Sequence, residues 1–134
     1  MNDRKVLRVV AAAILRDGKF LAAKRGAGKI PETAHRFEFP GGKIEPGESP
    51  ECALAREISE ELSTSVEVGK LLIRTSHTYE TAVVELSVYL CRLTGEEPRS
   101  REHEELRWVA ASRLTELEWA PADAPVLELL ASMG

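Results

Sequence analysis

The sequence predicts an α+β fold, an α/β/α layered domain around a central mixed β-sheet, occupying residues 1–134. Three observations predict it. Strand-like and helix-like segments are interspersed without the regular alternation that a wholly parallel sheet requires. Leu54, Ile58 and Leu62 recur at four-residue spacing, the buried stripe of an amphipathic helix among segments that otherwise read mostly as strands. At 134 residues, 43% hydrophobic and 30% charged, the chain has the size and balance of one soluble domain with a single core.

Val6 to Leu15, rich in Val, Ile and Ala, reads as a strand. Asp17-Gly18 reads as a two-residue hairpin turn, because both positions tolerate positive φ, and Lys19 to Lys24 is the returning strand. Gly26 to His35 holds two glycines and a proline and reads as a surface loop. Phe37-Glu38-Phe39 alternates apolar and acidic residues and predicts a short strand ending at Pro40-Gly41-Gly42. Ser49 is a good helix N-cap, and Pro50 suits the first helical position. Val66 to Tyr79 and Val83 to Leu93 read as strands joined near Glu80-Thr81, and Leu106 to Val109 as another. Ser112 to Leu117 predicts a short helix. Pro125 to Met133 predicts a C-terminal helix with Val126, Leu129, Leu130 and Met133 facing inward.

The formal net charge of −4 argues against a nucleic-acid polymer as partner, since such binding usually shows a basic stripe. It leaves open a nucleotide, whose charge metal ions can meet. Cys52 and Cys91 make no disulfide framework and are expected to be buried thiols in a reducing cytoplasm. No apolar run approaches membrane-spanning length, so no membrane partner is expected. Val6 to Leu15 follows Arg4 and Lys5 like the core of a leader. Arg8 interrupts it and Arg16-Asp17-Gly18-Lys19 closes it, which favours a strand entering a hairpin.

Chemistry concentrates between Gly41 and Glu61. Five residues separate Gly42 from Glu48, seven separate Glu48 from Arg56-Glu57, and Glu60-Glu61 follow Ile58-Ser59. On a helix Glu57, Glu60 and Glu61 stand at i, i+3 and i+4, on one face. Carboxylates so placed repel one another unless cations lie between them, and hard ions such as Mg²⁺ take oxygen ligands while leaving room for phosphate. Glu48 can approach the same cluster across the loop, and Arg56 has the rigid fork that orients carboxylates. Gly41 and Gly42 let backbone come close, and the Gly41 carbonyl is a candidate metal ligand. A solvated acidic face, the usual meaning of a charge run, does not account for the glycine pair, the Glu48 offset and Arg56 together.

These residues match the Nudix box, G-x5-E-x7-R-E-U-x-E-E-x-G-U with U aliphatic, up to its last two positions, where Ser63 and Thr64 stand. The chain thus resembles the Nudix hydrolases, most closely the MutT-type nucleoside triphosphate pyrophosphohydrolases. The resemblance implies the Nudix fold with its loop–helix–loop, and Mg²⁺ as cofactor with Mn²⁺ as a substitute. It implies Glu57, Glu60 and Glu61 as metal ligands, Glu48 as their supporting loop glutamate and Arg56 as the positioning arginine. It places a further catalytic glutamate near Glu102, with Glu104 and Glu105 as competitors, and a phosphate contact at Arg25, beside Lys24. Glu38-Phe39-Pro40-Gly41 matches the family segment beside the nucleotide. Phe37 is a candidate to stack on a base, with core packing as the alternative. Asp123 matches a base-reading Asn or Asp, and a helix cap is its alternative role.

Gly26-Ala27-Gly28-Lys29 is not a P-loop, since Ala23 replaces its first glycine and Ile30 its hydroxyl residue. His35, His77 and His103 have no spacing that suggests a zinc site or a nucleophile–base pair. The implied activity is hydrolysis of a nucleoside triphosphate, 8-oxo-dGTP or a cytidine nucleotide, to monophosphate and pyrophosphate. The implied enzyme is a cytoplasmic monomer or homodimer. Two other readings are a hydrolase of ADP-ribose or a dinucleoside polyphosphate, and a binding module without turnover. The intact set of box carboxylates weighs against the last.

Overall fold

The computed structural model describes residues 4–28 and 30–133. Lys29 of the Gly26–Lys29 segment lies outside the described residues, as do 1–3 and 134. Seven strands run in chain order: β1 (Lys5–Arg16), β2 (Lys19–Lys24), β3 (Phe37–Glu38), β4 (Gly41–Lys43), β5 (Val66–Thr78), β6 (Ala82–Leu93) and β7 (Glu105–Ala110). Helix α1 (Pro50–Leu62) falls between β4 and β5, and α2 (Leu127–Ala131) ends the fold. The sheet order is β3-β2-β1-β6-β5, with β4 on β1 and β7 on β2. Strands β1 and β6 pair in parallel while the other pairs are antiparallel, so the sheet is mixed, as expected.

The apolar run of β1 follows from burial on both faces. Val10, Ala12 and Ile14 meet Leu54, Ile58 and Leu62 of α1 on one side. Ala11 and Ala13 meet Phe20, Phe37, Leu114, Trp119 and Leu130 on the other. Asp17 and Gly18 take φ of 52° and 76°, the two positive values that a tight hairpin between β1 and β2 demands.

Several expectations need correction. The loop from Gly26 to His35 contains a 3-10 turn at Pro31–Thr33 whose Thr33 is buried. Ala111–Glu116 is 3-10 rather than α-helical. The C-terminal segment begins as a 3-10 turn, Ala124–Val126, before α2. Passing from 3.0 to 3.6 residues per turn changes which residues face inward. Val126, Leu127 and Leu130 are buried, and Leu129 is left 40% exposed. Cys52 is exposed on α1, whereas Cys91 is buried and its thiol pushed up to about 12 by loss of solvent.

Helix α1 starts as expected, with the Ser49 hydroxyl accepting from Cys52 N–H and Pro50 at the first turn. It ends on Ser63 at φ 53° and ψ 39°, the left-handed conformation in which glycine carries no Cβ penalty. Ser63→Gly is therefore expected to raise stability by about 1 kcal/mol, read by denaturant unfolding. A destabilised variant would show that the gain in unfolded-state entropy outweighs the relieved strain. Thr64, the second departure from the box, is buried, and its hydroxyl donates to the Glu96 carbonyl. A polar residue is thereby satisfied where an aliphatic one was expected.

Candidate active site

Glycine at two adjacent positions brings α1 against the sheet. A Cβ on Gly41 would lie 2.0 Å from the Val10 carbonyl oxygen, so only glycine permits the β1–β4 pairing as it stands. A Cβ on Gly42 would lie 2.1 Å from Glu57 Oε2, so the missing side chain makes room for a carboxylate. The loop from Ile44 to Ser49 then turns back, and Arg56 ties it to the helix. Its Nε donates to Glu48 Oε2 at 2.8 Å and its Nη2 to Glu48 Oε1 at 2.9 Å, a two-pronged pair. Arg56 also reaches Glu57 at 2.8 Å, Glu60 at 3.2 Å and the Lys43 carbonyl at 3.1 Å. Glu48 accepts from Glu45 N–H as well; Arg56 foremost, and then that amide, hold its carboxyl down at about 2.

The three helix glutamates do not share one environment. Glu61 is largely buried, and its carboxyl is pushed up to about 9, first by burial, then by its hydrogen bond to Glu57, and by the charges of Glu57, Glu38 and Glu102. Glu57 is divided between Arg56 and Glu61. Glu60 has a side chain 60% exposed that leans back on Arg56 rather than toward Glu61. Helical spacing puts the three on one side of α1, and Arg56 draws Glu60 outward.

In front of Glu61 lies a cleft of about 560 Å³. It is lined by Leu7, Val9, Ala11, Val84 and Leu86 from the sheet and by the polar side chains of Arg25, Glu38, Glu61, Glu102, His103 and Asp123. Strand β3 carries Glu38, whose Oε1 accepts from Arg25 at 3.0 Å. The segment from β6 to β7 brings Glu102 to the cleft. Its neighbours are engaged elsewhere, Glu104 with His35 at 2.8 Å and Glu105 with Arg107 at 2.6 Å. Phe37 is buried in the core beside Trp119, ring centroids 6.3 Å apart, and does not line the cleft; Phe39 does, stacked on Trp119 at 4.6 Å. The structure thus gives Phe37 its packing role.

Asp123 does not cap the turn that follows it. Its Oδ2 accepts from the Phe39 backbone N–H at 3.0 Å, and the residue lines the same cleft as Glu61. Burial, reinforced by Glu38, raises its carboxyl well above the usual carboxylate range, against the opposing pull of the Phe39 N–H and Arg25. The hydroxyl of Tyr79 accepts from Ala122 N–H and fixes the same loop.

Sequence reasoning missed His103. Its side chain is 6% exposed, with Nε2 3.5 Å from Glu38 Oε2 and 3.9 Å from Glu61 Oε1. The signal was its place next to Glu102. A search for zinc spacing could not register that, because the histidine partners are remote in sequence. Glu38 and Arg25 come together through the β2–β3 pairing, in which Ala23 is registered with Glu38.

Comparison with known proteins accords with this geometry. A NUDIX domain model matches residues 6–130. A Mycobacterium tuberculosis relative provisionally named 8-oxo-dGTP diphosphatase 2 is 42% identical over 118 residues, covering 86% of this chain and 81% of that one. The CTP pyrophosphohydrolase of Escherichia coli is 36% identical over 124 residues, 92% of this chain and 90% of that one. The crystal structure of the MutT NUDIX hydrolase from Burkholderia pseudomallei superposes with a TM-score of 0.82 at 32% identity, covering 93% and 98% of the two chains. Fold, site and relatives define an enzyme that hydrolyses phosphoric anhydrides. The chain belongs to the NUDIX domain family, and within it to the MutT-type Nudix hydrolases.

Nudix hydrolases generally need a divalent metal. Among the described residues no three acidic, histidine or cysteine side chains already converge at ligating distance. The donor chemistry nevertheless fits a hard cation. Glu61 is a carboxyl pushed up to about 9 first by burial and then by Glu57, Glu38 and Glu102, an oxygen-rich setting in which a hard cation would take the place of that proton. Among the described residues no helix is long and apolar enough to cross a membrane.

Proposed function

We propose that the chain hydrolyses nucleoside triphosphates to monophosphate and pyrophosphate, with Mg²⁺ as its ion and Mn²⁺ as a substitute. Oxidised or modified bases, of the 8-oxo-dGTP or cytidine type, are its preferred substrates. The observation that carries this reading is one cleft that gathers Glu38, Glu61 and Glu102 with Arg25 and Asp123 over an apolar stretch of the sheet. That combination suits a ligand with a polyphosphate head and a base.

Glu57, Glu61 and the Gly41 carbonyl would hold the cation, with Glu60 swinging in from Arg56. The bound cation supplies charge neutralisation at the diphosphate and a water of lowered pKa. Arg25, freed from Glu38, binds phosphate oxygen, and Glu102, which lines the same cleft, takes a proton from the attacking water. Arg56 and Glu48 remain outside the cleft and keep loop and helix in one geometry. Asp123 uses Oδ2 for the Phe39 N–H and presents its other oxygen to the edge of the base. A carboxyl kept neutral there offers both a donor and an acceptor, which discriminates by the cost of leaving a polar group unmatched.

The test is metal-dependent pyrophosphate release from the four deoxynucleoside triphosphates, CTP and 8-oxo-dGTP, with ADP-ribose and dinucleoside polyphosphates alongside. Preference for the last two would overturn the triphosphate reading. In the same panel Asp123→Asn keeps an acceptor for the Phe39 N–H and replaces only the base-facing group. It is expected to change kcat/KM ratios among bases by roughly 10-fold, while Tm holds. An unchanged ranking would reject base recognition by Asp123.

A further inference from the structure

We infer that His103 is a positioning residue, held by Ser100, that aims the Glu61 and Glu38 carboxylates into the cleft. Ser100 Oγ lies 3.2 Å from the backbone N–H of both Glu102 and His103, and 2.7 Å from His103 Nδ1. Two amide donors occupy the lone pairs of the hydroxyl, so its single proton points at Nδ1. Nδ1 is the acceptor, and the ring carries hydrogen on Nε2. That N–H faces Glu38 Oε2 at 3.5 Å and Glu61 Oε1 at 3.9 Å. Backbone amides thus set a hydroxyl, the hydroxyl sets a ring, and the ring presents one donor between two carboxylates.

The arrangement has a consequence for the acidic cluster at the cleft. Glu38, Glu57 and Glu102 all act on Glu61, and Arg25 reaches only Glu38 among them by hydrogen bond. Without His103, Glu61 keeps its hydrogen bond to Glu57 but loses the ring nitrogen that faces its Oε1. Because Ser100 and His103 lie on the segment that carries Glu102, the device also couples the placement of Glu102 to that of Glu61. Partners that orient ligand carboxylates in this way are typically worth about 10–100-fold in metal affinity or activity.

The inference rests on the proposed site but not on its substrate, so the test begins with Mn²⁺ alone. Mn²⁺ affinity is measured by electron paramagnetic resonance without nucleotide, beside kcat and KM on the best nucleotide. His103→Ala is expected to weaken Mn²⁺ about 10-fold and lower kcat by about 10–100-fold, with KM for nucleotide within about twofold. Ser100→Ala, which removes only the hydroxyl, should move both quantities the same way by less, and Ser100→Thr should restore them. The double variant should be no worse than His103→Ala, because both act through one ring. Should His103→Ala fail to fold, the Ser100 pair carries the comparison. Unchanged Mn²⁺ affinity in Ser100→Ala and His103→Ala, or additive losses in the double variant, would overturn the inference. Wild-type protein that binds Mn²⁺ but turns over no triphosphate would instead reject the substrate reading and leave this one standing.

Discussion

Glu57→Gln and Glu61→Gln are each expected to lower Mg²⁺-dependent turnover by about 10³-fold without loss of fold, because amide oxygens cannot replace carboxylate charge at a hard cation. Glu61→Gln carries a second signature. The native Glu61 carboxyl stands at about 9 against an ordinary 4.5, so the folded protein keeps a proton that the unfolded chain releases. Its contribution to stability is full below pH 4.5 and is lost as pH rises toward 9. Gln mimics the protonated form and does not titrate. In chelator, Glu61→Gln should match wild type in Tm near pH 4.5 and exceed it increasingly toward pH 9. Added Mg²⁺ should narrow that gap by stabilising wild type alone. Near wild-type turnover in either variant, or a gap that shrinks with pH, would contradict the assignment.

The two adjacent glycines should fail in opposite ways. In Gly41→Ala the new Cβ would meet backbone, 2.0 Å from Val10 O and 2.8 Å from Ala11 Cα. Relief requires separating β4 from β1, and a loss of about 3 kcal/mol, roughly 10 °C in Tm, is expected. In Gly42→Ala the Cβ would meet the far end of one side chain, Glu57, with Oε2 at 2.1 Å and Cδ at 2.4 Å. That carboxylate can rotate away at small cost, so Tm should change little. Turnover should fall by about 10²-fold, because the proposed metal ligand would be displaced by an ångström or more. Thermal melts and steady-state rates on the two variants decide this, and equal losses of stability would refute the contrast.

The hairpin at Asp17-Gly18, the Ser49-Pro50 helix start and the Leu54, Ile58, Leu62 stripe were legible because each depends on residues within a few positions of one another. So was the candidate metal helix, whose glutamates, arginine and glycines fall within about twenty residues and whose spacing is a chemical statement in itself. The C-terminal segment was less legible. Its 3-10 start turned Leu129 outward, and apolar periodicity cannot distinguish three residues per turn from 3.6 over so short a run.

By itself, then, the sequence determined the mixed sheet, the carboxylate-bearing helix and the family they imply, since propensity, capping and metal-ligand spacing are local properties. Only the tertiary structure decided how those groups divide. Arg56 draws Glu60 out of the cluster while burial leaves Glu61 a proton. Phe37 packs on Trp119 instead of facing a ligand, and Asp123 turns from capping a helix to holding Phe39 N–H. His103 reaches Glu61 from 42 positions away in the chain. Burial, electrostatic coupling and the tautomer of a ring depend on neighbours delivered by strand pairing, and no spacing along the chain encodes them.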